Sequence, residues 1–188
     1  VFALTASAVA SFGVDIFATI SKYLLVLMVG FAIQMFIVYP LFLKCFSKVS
    51  AAMLFSAIAE ATMVAFGTAS SSATLPLTIA CCEKRGISHK ISSFVLPLGA
   101  TLNFDGTALL QTVAVIFLAQ AYQVPLDPFL VIRIALLAIV ASSTCAGIPG
   151  GGLITIALIL NGMGLSPEQL VAGFAFLFTI ERVTDMFR

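Results

Sequence analysis

The chain has 188 residues, of which 61% are apolar and only 9% charged, with a formal net charge of +1. Soluble domains carry about 25% charged residues, so there is too little polar surface here to coat a globule, and no basic patch to hold phosphates. A soluble enzyme, a disordered chain and a nucleic-acid binder are all disfavoured; a mean hydropathy of +1.18 points to an integral membrane protein.

Residues 1–13 form an apolar run like the core of a signal peptide, but without its basic flank. They read as the end of a membrane helix. With no Met at residue 1, the chain reads as a segment of a larger membrane protein. A bilayer-crossing helix needs about 20 apolar residues. Charge-free windows cover 23–43, 61–82, 106–126 and 134–167, with shorter ones at 1–14, 91–104 and 169–180. They predict six or seven helical membrane segments. The apolar runs are continuous rather than alternating, which argues against a β-barrel. Cys45, Cys81, Cys82 and Cys145 make no C-x-x-C pair and read as small apolar fillers.

Two windows differ from plain spans. Window 61–82 holds Ser70-Ser71-Ser72 at its centre, followed by Pro76. Window 134–167 holds Ser142-Ser143-Thr144, then Gly147, Pro149, Gly150, Gly151 and Gly152. Helix breakers at mid-membrane free backbone groups that lipid cannot satisfy. Two short arms joined at a polar tip satisfy them better, which predicts a re-entrant hairpin in each window. The basic residues agree: Lys44 and Lys48 precede the first hairpin, and Lys84, Arg85 and Lys90 follow it. Entry and return on one side keeps both clusters in the cytoplasm, as the positive-inside tendency prefers. The second hairpin then dips in from the opposite face, making an inverted repeat.

Charges inside apolar stretches mark the candidate site. A charge at mid-bilayer costs at least about 2.5 kcal/mol, so such residues usually face a cavity or pair. Glu181, Asp185 and Arg188 are spaced by four and three and share one helical face. Arg182 points about 100° away from that face. Asn103-Phe104-Asp105-Gly106-Thr107 offers hard oxygen ligands at alternate positions, and Gly106 permits an unwound backbone with free carbonyls. Oxygen-only ligands suit a hard cation such as sodium. Interrupted helices are where membrane transporters bind ions and carboxylates.

Four stretches carry a family resemblance: Ala69-Ser70-Ser71-Ser72-Ala73-Thr74-Leu75-Pro76, Asn103-Phe104-Asp105-Gly106-Thr107, Ala146-Gly147-Ile148-Pro149-Gly150-Gly151-Gly152 and Asp185-Met186-Phe187-Arg188. In order and spacing the chain resembles the dicarboxylate/amino acid:cation symporters, which include excitatory amino acid transporters and bacterial glutamate/aspartate symporters. The resemblance covers essentially the whole chain. It implies an all-α membrane protein, with residues 1–20 ending a scaffold-type helix and 22–188 forming a transport domain truncated in its last helix. Within that domain, 51–82 and 127–164 resemble the two hairpins, and 89–121 the helix between them. The family's first four helices, which carry most of its trimer scaffold, are missing from the chain.

The resemblance also implies roles. Arg188 pairs with the substrate's side-chain carboxylate, aided by Thr107, and Asp185 holds the α-amino group. Backbone at Ser71, Ile148 and Gly152 holds the α-carboxylate. For sodium, Asp105 and Asn103 form one site, and backbone at Gly99 and Asn103 contributes to another. Thr101, Ser142, Ser143 and Cys145 form a third. No other cofactor is implied. The chain departs from the family at Phe104, usually Met, at Ala69 and Met186, one of which is usually Arg, and at Glu181, often Asp.

The expected function is sodium-coupled uptake of an acidic amino acid across the cell membrane (the inner membrane in a bacterium) by a homotrimer surrounded by lipid. A C4-dicarboxylate or a neutral amino acid is the alternative substrate within the family. Outside it, an intramembrane aspartyl protease would use Asp105 and Asp185 as a dyad, and an anion channel would need no coupling. The sequences around the two aspartates do not resemble the protease motifs, so no enzyme activity is expected.

Overall fold

The computed structural model describes residues 15–145, 151–161 and 167–188. Most of the segment expected to end a scaffold-type helix lies outside the described residues, as do Ile148 and the centre of the second hairpin tip. All regular structure among the described residues is helical.

Helix α1 (Asp15–Ile33) runs without a break into a π-helical stretch (Gln34–Val38) and on into α2 (Tyr39–Phe46). The stretch Ile20–Phe46 has 27 residues, roughly 40 Å at 1.5 Å per residue, which exceeds the hydrocarbon thickness of about 30 Å. Helix α3 (Ala51–Thr68) starts at Ser50, whose hydroxyl accepts from the Met53 amide at 3.2 Å. It stops at Ala69, which takes a left-handed conformation with φ 51°. Ser70 then caps α4 (Ser71–Glu83) by accepting from the Ala73 amide. Serine oxygens at these two positions satisfy amides that a helix start leaves open.

The turn folds α4 back along α3. Lys84 meets Glu60 at 3.1 Å, and Arg85 donates to the Ser56 hydroxyl at 3.5 Å. Residues 84 and 85 therefore lie back toward the start of α3, the end that Lys44 and Lys48 precede. His89 pairs with Glu83 at 2.5 Å as the chain enters the next helix.

Helices α5 (His89–Leu102) and α6 (Asp105–Ala121) are separated by Asn103 and Phe104, whose φ/ψ values of −104°/72° and −103°/53° lie outside the helical range. Asp127 accepts from the Leu130 amide at 2.9 Å and opens α7 (Pro128–Ser142), with Pro128 where the missing N–H costs nothing. Helix α8 (Gly151–Asn161) packs on α7 as the second hairpin, and α9 (Pro167–Phe187) closes the described chain.

Helix α6 is the axis of the fold and touches α1, α7, α8 and α9. Its Leu110, Ala114, Val115 and Leu118 are buried with Tyr23 and Leu27 of α1, Ile134 and Ala138 of α7, Ile156 and Leu160 of α8, and Leu177 and Ile180 of α9. Small residues let the helices approach, as is usual in membranes. A Cβ at Gly30 would stand 3.1 Å from Leu109, and one at Gly173 would stand 3.1 Å from Leu118.

The outside is as apolar as the inside: Phe36, Phe42, Phe46, Phe94 and Phe129 are exposed. Among the described residues three stretches, Ile20–Phe46, Ala51–Thr68 and His89–Ala121, are long and apolar enough to cross a membrane. Hydroxyls within them bond back to carbonyls of their own helix, as Thr62 does to Ile58 and Thr112 to Ala108, which keeps polar atoms satisfied away from water. The protein is an all-α membrane protein.

Candidate substrate and cation site

The end of α9 carries the charged face. Glu181, Thr184 and Asp185 are buried, while Val183, Met186 and Phe187 are exposed, so the polar side of the helix points inward. One turn on from Asp185, the Arg188 guanidinium reaches its carboxylate, with Nη2 3.2 Å from Oδ1. Both side chains are nearly inaccessible, at 8% and 1%. A buried ion pair of this kind carries a desolvation cost that its own attraction only partly offsets.

Two other helices close around the guanidinium. Gly152, near the start of α8, lies so close that a Cβ there would be 2.8 Å from Arg188 Nη1. The same point is 3.8 Å from Thr107 Cγ2 and 3.7 Å from Leu110 on α6. A Cβ on Gly106 would stand 3.1 Å from the Arg188 carbonyl oxygen and 3.3 Å from its Cγ. Thr107, Gly152, Asp185 and Arg188 therefore form one buried cluster. Arg188 Nη1 and the Thr107 hydroxyl are buried and have no hydrogen-bond partner among the described residues. Such orphans are rare and call for a partner from outside.

The remaining expected residues divide. Asn103 sits at the break between α5 and α6, and its amide donates to the Gly99 carbonyl at 2.9 Å. Ser142 and Cys145 are buried, and the Cys145 amide donates to the Ser142 carbonyl at 3.0 Å. Cys145 Sγ lies 3.9 Å from the Thr155 hydroxyl, which donates to the Gly152 carbonyl at 2.8 Å. This chain of contacts links the end of α7 to the residue over Arg188. Ser71, Thr101 and Ser143 are exposed, outside the buried cluster. The hydroxyls of Thr101 and Ser143 bond back to their own helices. Phe66, near the first hairpin tip, meets Phe187 edge-on at 5.2 Å and brings that tip toward the end of α9.

Asp105 opens α6 and accepts from the Gly106 amide through Oδ1 at 2.9 Å. Its Oδ2 accepts from Gln34 Nε2 at 2.6 Å and from the Tyr39 hydroxyl at 2.7 Å. Both oxygens of Asp105 are thus engaged by groups on the π-helical stretch, α2 and α6.

The whole sequence, residues 1–188, matches the sodium:dicarboxylate symporter family. The chain belongs to that family. It is 40% identical over 168 residues to neutral amino acid transporter B(0) of Oryctolagus cuniculus, covering 89% of this chain and 31% of that protein. The human B(0) protein gives the same figures. Human excitatory amino acid transporter 2 is 38% identical over 165 residues, covering 87% of this chain and 29% of its own length. The chain thus spans about a third of the length of these curated relatives. Its family is one of transporters, not enzymes.

Several polar partners in this symporter-family chain escape a motif reading. Gln34 and Tyr39 lie in the apolar run before the first hairpin, and their polarity within a membrane span is the only sign of a role. Gln111 is fully buried on α6 and donates to Thr155 on α8. Its position four residues past Thr107, on the same helical face, is a signal available from spacing alone. Phe104 is buried at the break between α5 and α6.

Proposed function

We propose that this chain forms the substrate- and cation-binding part of a sodium-coupled symporter for an acidic amino acid. The supporting observation is the buried cluster at the end of α9: Arg188 and Asp185 paired, with Arg188 Nη1 and the Thr107 hydroxyl open beside Gly152. The guanidinium fork suits a carboxylate. Thr107 adds one neutral donor to the same group. Asp185 takes the substrate's ammonium, so the protein's ion pair is exchanged for two pairs with a zwitterion. The charges are already desolvated, which lowers the cost of that exchange. Backbone at Ser71, Ile148 and Gly152 holds the α-carboxylate.

Sodium binds at hard oxygens: Asp105 with Asn103, the carbonyls at Gly99 and Asn103, and those of Thr101, Ser142, Ser143 and Cys145. The break at Asn103 and Phe104 supports this reading for Asn103, which lies past the last helical turn, while the Gly99 carbonyl keeps a second lone pair beside its bond from the Asn103 amide. Each elementary charge moved down 100 mV gains about 2.3 kcal/mol. Sodium that binds cooperatively with substrate passes that gain to uphill uptake. Residues 51–82 and 127–164 act as oppositely oriented re-entrant hairpins, the second closing over the loaded site. Residues 22–188 move as the transport domain of a homotrimer in the cell membrane, while 1–20 belong to a scaffold-type helix.

The test is radiolabelled uptake by proteoliposomes holding the natural polypeptide that carries this chain, comparing aspartate, glutamate, alanine and succinate, with sodium or choline outside. Aspartate or glutamate uptake that needs sodium is the expected result. Uptake that survives in choline refutes the coupling. The B(0) relatives favour a second reading, a neutral amino acid substrate, for which alanine uptake would exceed aspartate uptake. Anion current without sodium-driven uptake would mark a channel.

A further inference from the structure

The π-helical stretch between α1 and α2 solves a geometric problem at Asp105. Gln34 and Tyr39 are five residues apart. In an α-helix they would point roughly 140° from each other and could not share one acceptor. Here the Tyr39 amide bonds to the Gln34 carbonyl, the i→i+5 pattern of a π-turn. That single widened turn brings the two side chains over one another. Both then donate to the same oxygen, Asp105 Oδ2, at 2.6 and 2.7 Å. The Gln34 amide orientation follows from this contact, since the opposite flip would set its oxygen against a carboxylate oxygen.

We propose that Gln34 and Tyr39 are positioning residues for Asp105, and that the π-turn exists to make their shared grip. The inference rests on reading Asp105 as a sodium ligand. Two donors fill the lone pairs of Oδ2. Among the described residues Oδ1 accepts the Gly106 amide alone, which leaves it a lone pair for a cation. The grip therefore fixes which oxygen faces the ion and holds the carboxylate against rotation. Outer hydrogen bonds of this sort commonly change metal affinity by about 10- to 100-fold. The residue that varies is not a ligand, so its loss weakens sodium binding without abolishing it.

The experiment uses the natural polypeptide carrying this chain, with Y39F, Q34A, D105N and the double variant Y39F/D105N. Phe36→Leu, on the same turn but exposed, serves as the control. Two readouts are taken: sodium half-saturation of aspartate uptake, and the sodium-induced rise in melting temperature without substrate. Y39F and Q34A are expected to raise the sodium half-saturation about tenfold and to shrink the sodium-induced thermal shift. Uptake at saturating sodium and the aspartate KM measured there stay at the unmutated level. D105N raises the sodium half-saturation further than either single variant, and Y39F adds nothing to it. F36L behaves as the unmutated protein.

Unchanged sodium half-saturation in both Y39F and Q34A overturns the proposal. A fall in maximal uptake alone also overturns it, because that is what a merely structural role produces. An equal rise in F36L does the same. Absence of any sodium response in the unmutated protein would instead strike at the sodium reading, and the proposal would fall with it.

Discussion

The sharpest test of the site is Gly152→Ala. The added methyl would sit 2.8 Å from Arg188 Nη1, about 0.7 Å inside an ordinary contact of roughly 3.5 Å. Its next neighbours, Leu110 and Thr107, are at 3.7 and 3.8 Å and are not disturbed. The strained partner is the tip of a flexible side chain, so the guanidinium moves and the helix backbone stays. Helix propensity favours Ala over Gly by up to about 1 kcal/mol, so the variant should melt no lower than the parent. A shift approaching 1 Å in a binding group can cost about 100-fold. Aspartate affinity should therefore fall roughly 10- to 100-fold, with alanine affinity changed much less. Uptake competition with both amino acids measures this. In an Arg188→Ala background the methyl has nothing to displace, and its effect should vanish. Equal losses for aspartate and alanine, or the same loss without the guanidinium, would refute the reasoning.

Thr107→Ala should weaken aspartate binding about 10-fold or more, the worth of one hydrogen bond to a charged group, and Thr107→Ser should restore it; competition assays measure both. Thr155→Val leaves the Gln111 amide buried without its acceptor and should cost about 1–3 kcal/mol, read as a lower melting temperature in detergent.

Much of the fold is legible in the chain itself. The break at Asn103 and Phe104 follows from Asn, Asp and Gly crowded into an apolar run, and the first hairpin turn follows from three serines. The shared face of Glu181 and Asp185 follows from helical spacing alone, because four residues make about one turn. The pairing of Asp185 with Arg188 is legible too, since charges in a membrane segment usually face a cavity or pair with each other.

Other features required the folded protein. That Gly152 lies against the Arg188 guanidinium depends on α8 meeting the end of α9, a contact between segments 36 residues apart that no local pattern encodes. Gln34 and Tyr39 escape notice because their spacing of five matches no α-helical face. Only the π-turn makes it one. Composition determines that the chain lives in lipid, where every buried polar atom must find a partner. Which partner each one finds is decided by helix packing, because that packing brings distant side chains within hydrogen-bond reach.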